Sequence, residues 1–245
     1  MLNYENFKRF RPIIESMDTL DKDNMESLLL DQDLQNGLKE YYCAHTDYMD
    51  SQAKVVFIGI CPGFEQMKLS FDLVKQNQSS PDQDVLRLAK VYARFGGSMR
   101  KNLIDLANQT DLSSYLGVES VQDLFDPACH LMDNTALLPY PIFRDGKNYT
   151  GHAPKIDRSL MLKTICEAQL QKIKDTYPNA VFIPLGKAVD EQVTKANILP
   201  EEKIIHGFPH PSGANGHRFK QLDQNRDAIN AKLQTAFFSQ ERKSD

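Results

Sequence analysis

Apolar residues recur along this chain with two alternating periods. Phe7, Phe10, Ile13, Ile14 and Met17 fall at helical spacing, and so do Leu30, Leu34, Leu38 and Tyr41. This predicts that residues 1 to about 50 form helices. The run from Lys54 to Ile60 is apolar at consecutive positions, as in a strand buried on both faces. Helical spacing returns over 84–95 and 99–109, separated by Gly96-Gly97-Ser98. A short strand is expected within 126–137. The stretch 139–154 holds Pro139, Pro141, Gly146 and Gly151 and reads as a long loop. An amphipathic helix over 157–177 follows, then a strand over 180–185 and a helix to about Ala196. A fourth strand is expected over 203–207 and a closing helix over 223–238. The tail from Ser239 to Asp245 is charged and is expected to fray.

Helices first, then strands alternating with helices, predict an α/β fold. The expectation is a single three-layer α/β/α domain with a central, mainly parallel, four-stranded sheet. The first 50 residues would be a helical extension packed on it. Hydrophobic residues at 41% and charged residues at 25% are ordinary for a globular chain and exclude a disordered one. No apolar run approaches the ~20 residues of a membrane span. The polar start, Met1 to Arg11, lacks a secretory signal, so the expected compartment is the cytoplasm. The net charge of −4 argues against a generally basic nucleic-acid coat protein but allows a local basic groove. Cys43, Cys61, Cys129 and Cys166 form no CxxC pair, so neither a metal site nor a cofactor is expected.

Two apolar runs break into Gly/Pro turns, the sites where α/β sheets bind ligands. The first is Gly59-Ile60-Cys61-Pro62-Gly63. The second is His210-Pro211-Ser212-Gly213-Ala214-Asn215. They read as two lips of one active site. Pro62 and Gly63 would set a turn that lets a nucleotide approach the backbone. Lys187, behind Gly186 at a predicted helix start, suits phosphate.

These motifs resemble those of the uracil-DNA glycosylase superfamily. The first turn is similar to its Gly-x-x-Pro-Gly motif, and the second to its His-Pro-Ser motif, about 150 residues later. Leu131-Met132-Asp133-Asn134 resembles the strand carrying a base-reading Asn. Ile183-Pro184-Leu185-Gly186-Lys187 resembles the strand and phosphate-gripping loop before the second motif. The resemblance spans about residues 54–238.

It implies a monofunctional DNA glycosylase that flips a uracil or modified pyrimidine out of DNA and hydrolyses its N-glycosidic bond. His210 would donate to the base O2 as negative charge develops there. Gly59, Ile60, Pro62 and Gly63 would line the base pocket, with Phe71 preferred to Phe64 for stacking on the base. Asn134 would offer both a donor and an acceptor to a pyrimidine edge, and Asp133 an acceptor suited to the exocyclic amine of a cytosine. Ser212, Asn215, Gly186 and Lys187 would contact DNA. The wedge position falls near Ala214, with Arg218 or His217 as substitutes, and Arg94, Arg100 and Lys101 are further candidates for the DNA face.

Cys61 departs from the pattern, because family members usually carry Asp, Asn or Glu there to position water. Glu65 could reach the water instead, backbone carbonyls could hold it, or the protein could be inactive on uracil. DNA is the expected partner, with no membrane and a monomeric state. Two other readings stay open: a protein that recognises a base without cleaving it, and a hydrolase of free nucleosides or nucleotides.

Overall fold

The computed structural model describes residues 4–241, with side chains through residue 238. Its helices are α1 (Glu5–Ser16), α2 (Phe64–Gln76), α3 (Asp82–Ala93), α4 (Ser98–Ala107), α5 (Leu112–Leu116), α6 (Leu160–Thr176), α7 (Lys187–Ala196) and α8 (Arg218–Glu241). Its strands are β1 (Leu29–Asp33), β2 (Leu38–Tyr41), β3 (Val55–Gly59), β4 (Met132–Ala136), β5 (Ile142–Arg144), β6 (Lys147–Asn148) and β7 (Val181–Pro184). The fold is mixed α/β. No described helix is long and apolar enough to cross a membrane. The chain forms two units. One comprises the chain up to Met49 with Ile60–Gly96 and Leu138–Cys166. The other comprises Asp50–Gly59, Gly97–Leu137 and the chain from Glu167 onward.

The second unit is built on a parallel sheet of order β4-β3-β7. Val55, Val56, Phe57 and Ile58 are fully buried, which is why the central strand β3 reads as an unbroken apolar run. The sheet has three strands rather than the expected four. The segment expected as the fourth makes one parallel bridge, Phe182 to Ile204, and one further bond from Ile205 N–H to the Phe182 carbonyl at 2.8 Å. A 3₁₀ turn at Glu201–Lys203 starts it late, and Gly207, at φ +80°, turns it away early. Two residues are too few for a ladder. The closing helix α8 starts at Arg218 and runs to Glu241, longer at both ends than the apolar pattern predicts. The rest of the expected frayed tail, residues 242–245, lies outside the described residues.

The first unit holds an antiparallel sheet of order β1-β2-β5-β6 that the periodicity did not predict. Leu30, Leu34, Leu38 and Tyr41 lie on a β-hairpin rather than a helix, and Leu34 at its tip is exposed. Asn36-Gly37 makes the turn, with Gly37 at φ +64°. Within the expected loop 139–154, β5 and β6 form a second hairpin across Asp145 (φ +48°) and Gly146 (φ +74°), the paired positive φ that Asp-Gly favours. A core of Phe7, Phe10, Ile14, Tyr42, Met67, Phe71 and Phe143 joins α1, α2 and this sheet. The Phe10 and Tyr42 rings stack with centroids 4.6 Å apart.

Candidate functional site

In the second unit, the chain leaving β7 turns through Leu185-Gly186 into α7. Gly186 has φ +85°, and a Cβ placed there would lie 2.8 Å from the His210 Cβ. Glycine is required by both its dihedral and this close approach. The Gly186 N–H donates to the Phe208 carbonyl at 2.9 Å, tying the second motif to the start of α7. The Phe208 ring lies edge-on to Phe57 of the central strand, with centroids 6.3 Å apart.

The loop that presents His210 is braced along its length. Asp190 of α7 accepts from the Gly207 N–H at 2.9 Å and contacts His206 Nδ1 at 2.5 Å. The other His206 nitrogen meets Glu201 at 2.9 Å. Burial alone would lower the His206 pKa, but Asp190 and Glu201 outweigh it and the net direction is up. Asn225 Nδ2 donates to the Gly207 carbonyl at 2.8 Å, and Asn102 Nδ2 to the Pro211 carbonyl at 2.9 Å. Asn215 Nδ2 donates to the His210 carbonyl at 3.0 Å.

This bracing fixes the chemistry of His210. The Ser212 backbone N–H donates to His210 Nδ1 at 3.1 Å. A nitrogen that accepts a hydrogen bond carries no proton, so the ring proton of the neutral side chain sits on Nε2. Burial lowers the His210 pKa below its ordinary value, which favours this neutral tautomer. The ring is half-buried, and its Nε2–H has no hydrogen-bond partner among the described residues. The result is a fixed, uncharged donor on a rigid loop.

Alternation along β4 separates two candidates. Asp133 pairs in register with Val56, and Asn134 with Phe57. Asp133 is buried. One oxygen accepts from the Asp50 N–H at 2.7 Å and from the Tyr177 hydroxyl at 2.5 Å; the other accepts from the Asn134 N–H at 2.7 Å. With both oxygens engaged by the protein's own donors, Asp133 is a latch between β4 and its surroundings. The expectation that it reads a base is corrected. Thr135, on the same face, accepts from Gln169 of α6 at 2.9 Å. Asn134 lies on the opposite face, with Phe57.

The remaining candidates of this unit divide between bracing and exposure. Ser212 Oγ accepts from the Ala214 N–H at 3.2 Å, and Arg218 Nη1 donates to the Asn215 carbonyl at 3.0 Å, so Ser212, Asn215 and Arg218 shape the loop itself. Ala214 is exposed at the tip. The Lys187 side chain is 88% exposed at the first turn of α7, with Glu191 at 3.6 Å. Gly59 ends β3; a Cβ there would make only ordinary contact, 3.8 Å from the Thr135 carbonyl. Arg100 lies over the Phe125 ring at 5.1 Å, and Lys101 is exposed and pairs with Asp105.

In the first unit, the turn Ile60-Cys61-Pro62-Gly63 leads into α2. Gln66 Oε1 accepts from the Gly63 N–H at 3.1 Å, and Asn148 Oδ1 from the Phe64 N–H at 3.3 Å, so two amides satisfy the helix start. Ile60 packs on Gly151, where a Cβ would lie 2.8 Å from the Ile60 Cδ1. The Cys61 thiol donates to the Tyr149 carbonyl at 3.4 Å, and burial pushes its pKa up to about 12. It is a protonated donor at neutral pH and not a base. Glu65 is exposed on the first turn of α2, where a carboxylate complements the helix dipole.

Phe71 corrects another expectation. It is 2% exposed on the inner face of α2, with Met67, Ser70 and Val74, and packs in the Phe10–Tyr42 core. It has no surface on which a base could stack. Phe64 is the half-buried aromatic of this turn, edge-on to Phe143 at 6.4 Å with the Lys22 ammonium 5.9 Å above it. Arg94 is buried rather than on a charged face. Asn102, Asn148 and Asp190 support the turns and were missed. Asn and Asp near Gly/Pro turns are the signal that marks them. Among the described residues no group of three or more His, Cys, Asp or Glu is placed to hold a metal ion.

No protein-family model matches the chain. It is similar to a Bacillus subtilis (strain 168) protein named "Uncharacterized protein YoxB". The two are 35% identical over 210 residues, covering 82% of this chain and 81% of the relative.

Proposed function

This chain belongs to the family of Bacillus subtilis YoxB. On the geometry of its second motif we propose that it is a monofunctional DNA glycosylase of the uracil-DNA glycosylase type. It takes a uracil or modified pyrimidine from DNA and hydrolyses the glycosidic bond, leaving an abasic site. The observation that carries the reading is His210. A neutral Nε2–H donor, held by Ser212 and by the glycine behind it, suits a base oxygen that becomes anionic as the bond breaks. A charged imidazolium would bind the ground state and water strongly as well; the neutral donor gains most as charge develops.

In this reading Asn134 contacts the base edge. Lys187 and the exposed loop tip at Gly213-Ala214 face the phosphate backbone. Ala214 fills little space, so a single strand or a distorted duplex is the favoured substrate. The three-layer α/β/α arrangement, a monomeric state and a cytoplasmic location belong to the same proposal.

A second reading is favoured by Cys61. A thiol with its pKa pushed up to about 12 supplies no base in the first motif, as expected of a protein that recognises a base without cleaving it.

The test uses labelled oligonucleotides, single- and double-stranded, each carrying one uracil, hydroxymethyluracil or hydroxymethylcytosine. Alkali then breaks abasic sites. Cleavage at one base that is lost with His210→Ala supports the glycosylase. DNA binding without cleavage of any member supports the second reading. Salt-insensitive hydrolysis of free nucleosides would refute both.

A further inference from the structure

The proposed reaction gives no role to His206, four residues ahead of His210. Both of its ring nitrogens face carboxylates of the second unit. Nδ1 lies 2.5 Å from Asp190 Oδ1 on α7, and Nε2 lies 2.9 Å from Glu201 Oε1 on the 3₁₀ turn. Carboxylates only accept, so both nitrogens must donate, and only the imidazolium has two N–H groups. A neutral ring would leave a lone pair facing one of the carboxylates. The next charge outward is Lys232 of α8, 3.9 Å from Glu201.

This clamp reaches His210 through the first turn of α7. The other Asp190 oxygen accepts from the Gly207 N–H at 2.9 Å. The Asp190 N–H donates to the Gly186 carbonyl at 3.1 Å, and the Gly186 N–H to the Phe208 carbonyl at 2.9 Å. Gly186 abuts His210: a Cβ on it would lie 3.4 Å from the His210 nitrogen. One turn of helix thus grips the loop at His206, Gly207, Phe208 and His210. Asp190 is bound twice and 17% exposed at its side chain, so it holds its place; Glu201, at 65%, can turn to water. A static brace needs no titrating group. Asn225 and Asn102 hold the same loop with neutral amides, whereas the bonding of His206 changes with one proton.

We propose that His206 is the positioning residue of the second motif: its imidazolium ties α7 to the turn at Glu201, and His210 keeps its donor pose only while both ties are made. The consequence for cleavage rests on the glycosylase reading. Burial opposes the imidazolium and the two carboxylates outweigh it, so its pKa lies above the ordinary histidine value. The clamp is complete below that ordinary value and opens as pH rises through the raised one. On opening, the proton goes to solvent, the neutral ring keeps one N–H for Asp190, and Glu201 is released. His210 titrates on the other side, because burial lowers its pKa and extends its neutral donor form to more acid pH. The two histidines therefore bound a window of pH, His210 from below and His206 from above.

The experiment follows the imidazole nitrogens of the full chain by 1H–15N NMR from pH 5 to 10, with His206→Gln and His210→Gln assigning the signals. His206 is expected to carry protons on both nitrogens at pH 7, and His210 on Nε2 alone. The His210 signals should shift again at the His206 midpoint. In Asp190→Asn that midpoint should fall by about one pH unit or more, and the His210 response with it. Glu201→Gln, changed at an exposed side chain, should give the same result with a smaller shift. A His206 that is neutral at pH 7, or His210 signals unmoved through the His206 midpoint, overturns the proposal. Single-turnover cleavage of the responsive oligonucleotide is measured at saturating protein over the same range. The rate should fall on an alkaline limb at the His206 midpoint, and the limb should move with that midpoint in Asp190→Asn. His206→Gln should lose the limb and cleave roughly 10²-fold more slowly. A limb that stays in place in Asp190→Asn overturns the proposal and leaves the glycosylase reading intact. A wild type that cleaves no oligonucleotide overturns the glycosylase reading, whereas the NMR titration still decides the clamp.

Discussion

Glu40 makes a prediction that does not depend on any substrate. Its side chain is only 6% exposed on β2, and its pKa rises from the ordinary 4.5 to about 7. Burial is the larger cause and Asp31 the smaller. Between these two values the folded chain holds a proton that the unfolded chain has released. Stability therefore falls as pH rises through this window and is fully reduced above pH 7. A rise of this size, at about 1.4 kcal/mol per pKa unit, corresponds to about 3 kcal/mol. Glu40→Gln keeps the shape and removes the ionisation. Its unfolding free energy should match the wild type near pH 4.5 and exceed it by about 3 kcal/mol at pH 8. Urea denaturation of both proteins at pH 4.5, 6 and 8 measures the difference, and taking it between variants cancels every other titrating group. A wild-type-minus-variant difference that stays constant across pH would refute the claim that burial raises the Glu40 pKa.

Other positions give sharper contrasts between neighbours. Gly186→Ala places a Cβ 2.8 Å from that of His210 at φ +85°, and should cost at least about 1–2 kcal/mol in urea denaturation while displacing the His210 ring. Phe71→Ala should lower stability by about 3–5 kcal/mol as a core truncation, whereas Phe64→Ala, at a half-buried ring, should cost distinctly less; equal losses would contradict the placement of Phe71. Tyr177→Phe removes one donor to the buried Asp133 side chain and should cost about 1–3 kcal/mol in urea denaturation.

Much of the α/β frame was legible in the chain because its signals are local. The buried strand β3 announces itself as Val55-Val56-Phe57-Ile58, since a strand covered on both faces needs no polar alternation. Gly97 and Gly186 marked helix starts because few other residues take their dihedrals. The two hairpins of the first unit also had local signals, Asn36-Gly37 and Asp145-Gly146, but these were overridden. Leu30, Leu34 and Leu38 satisfy a helical period as well as a strand period, and Pro139 and Pro141 drew attention away from the strand that follows them. The fourth strand failed for the opposite reason. Ile204 and Ile205 look like a strand, but the turns on either side leave room for a single bridge.

The candidate site divides in the same way. The chemistry of His210 was suggested by the residue and its neighbours, since Pro211 and Ser212 shape a turn wherever they occur. Which nitrogen carries its proton was decided by the fold, through the N–H of Ser212 and the closeness of Gly186. Adjacent residues Asp133 and Asn134 looked equally available in the sequence; the pleat of β4 sends them to opposite faces, and Tyr177 and Asp50, distant in the chain, claim the first. The placements of Phe71 and Glu40 have one physical reason. Burial depends on what the rest of the chain lays against a side chain, so an aromatic that looked available is core, and Glu40, which no local pattern singled out, is a buried acid.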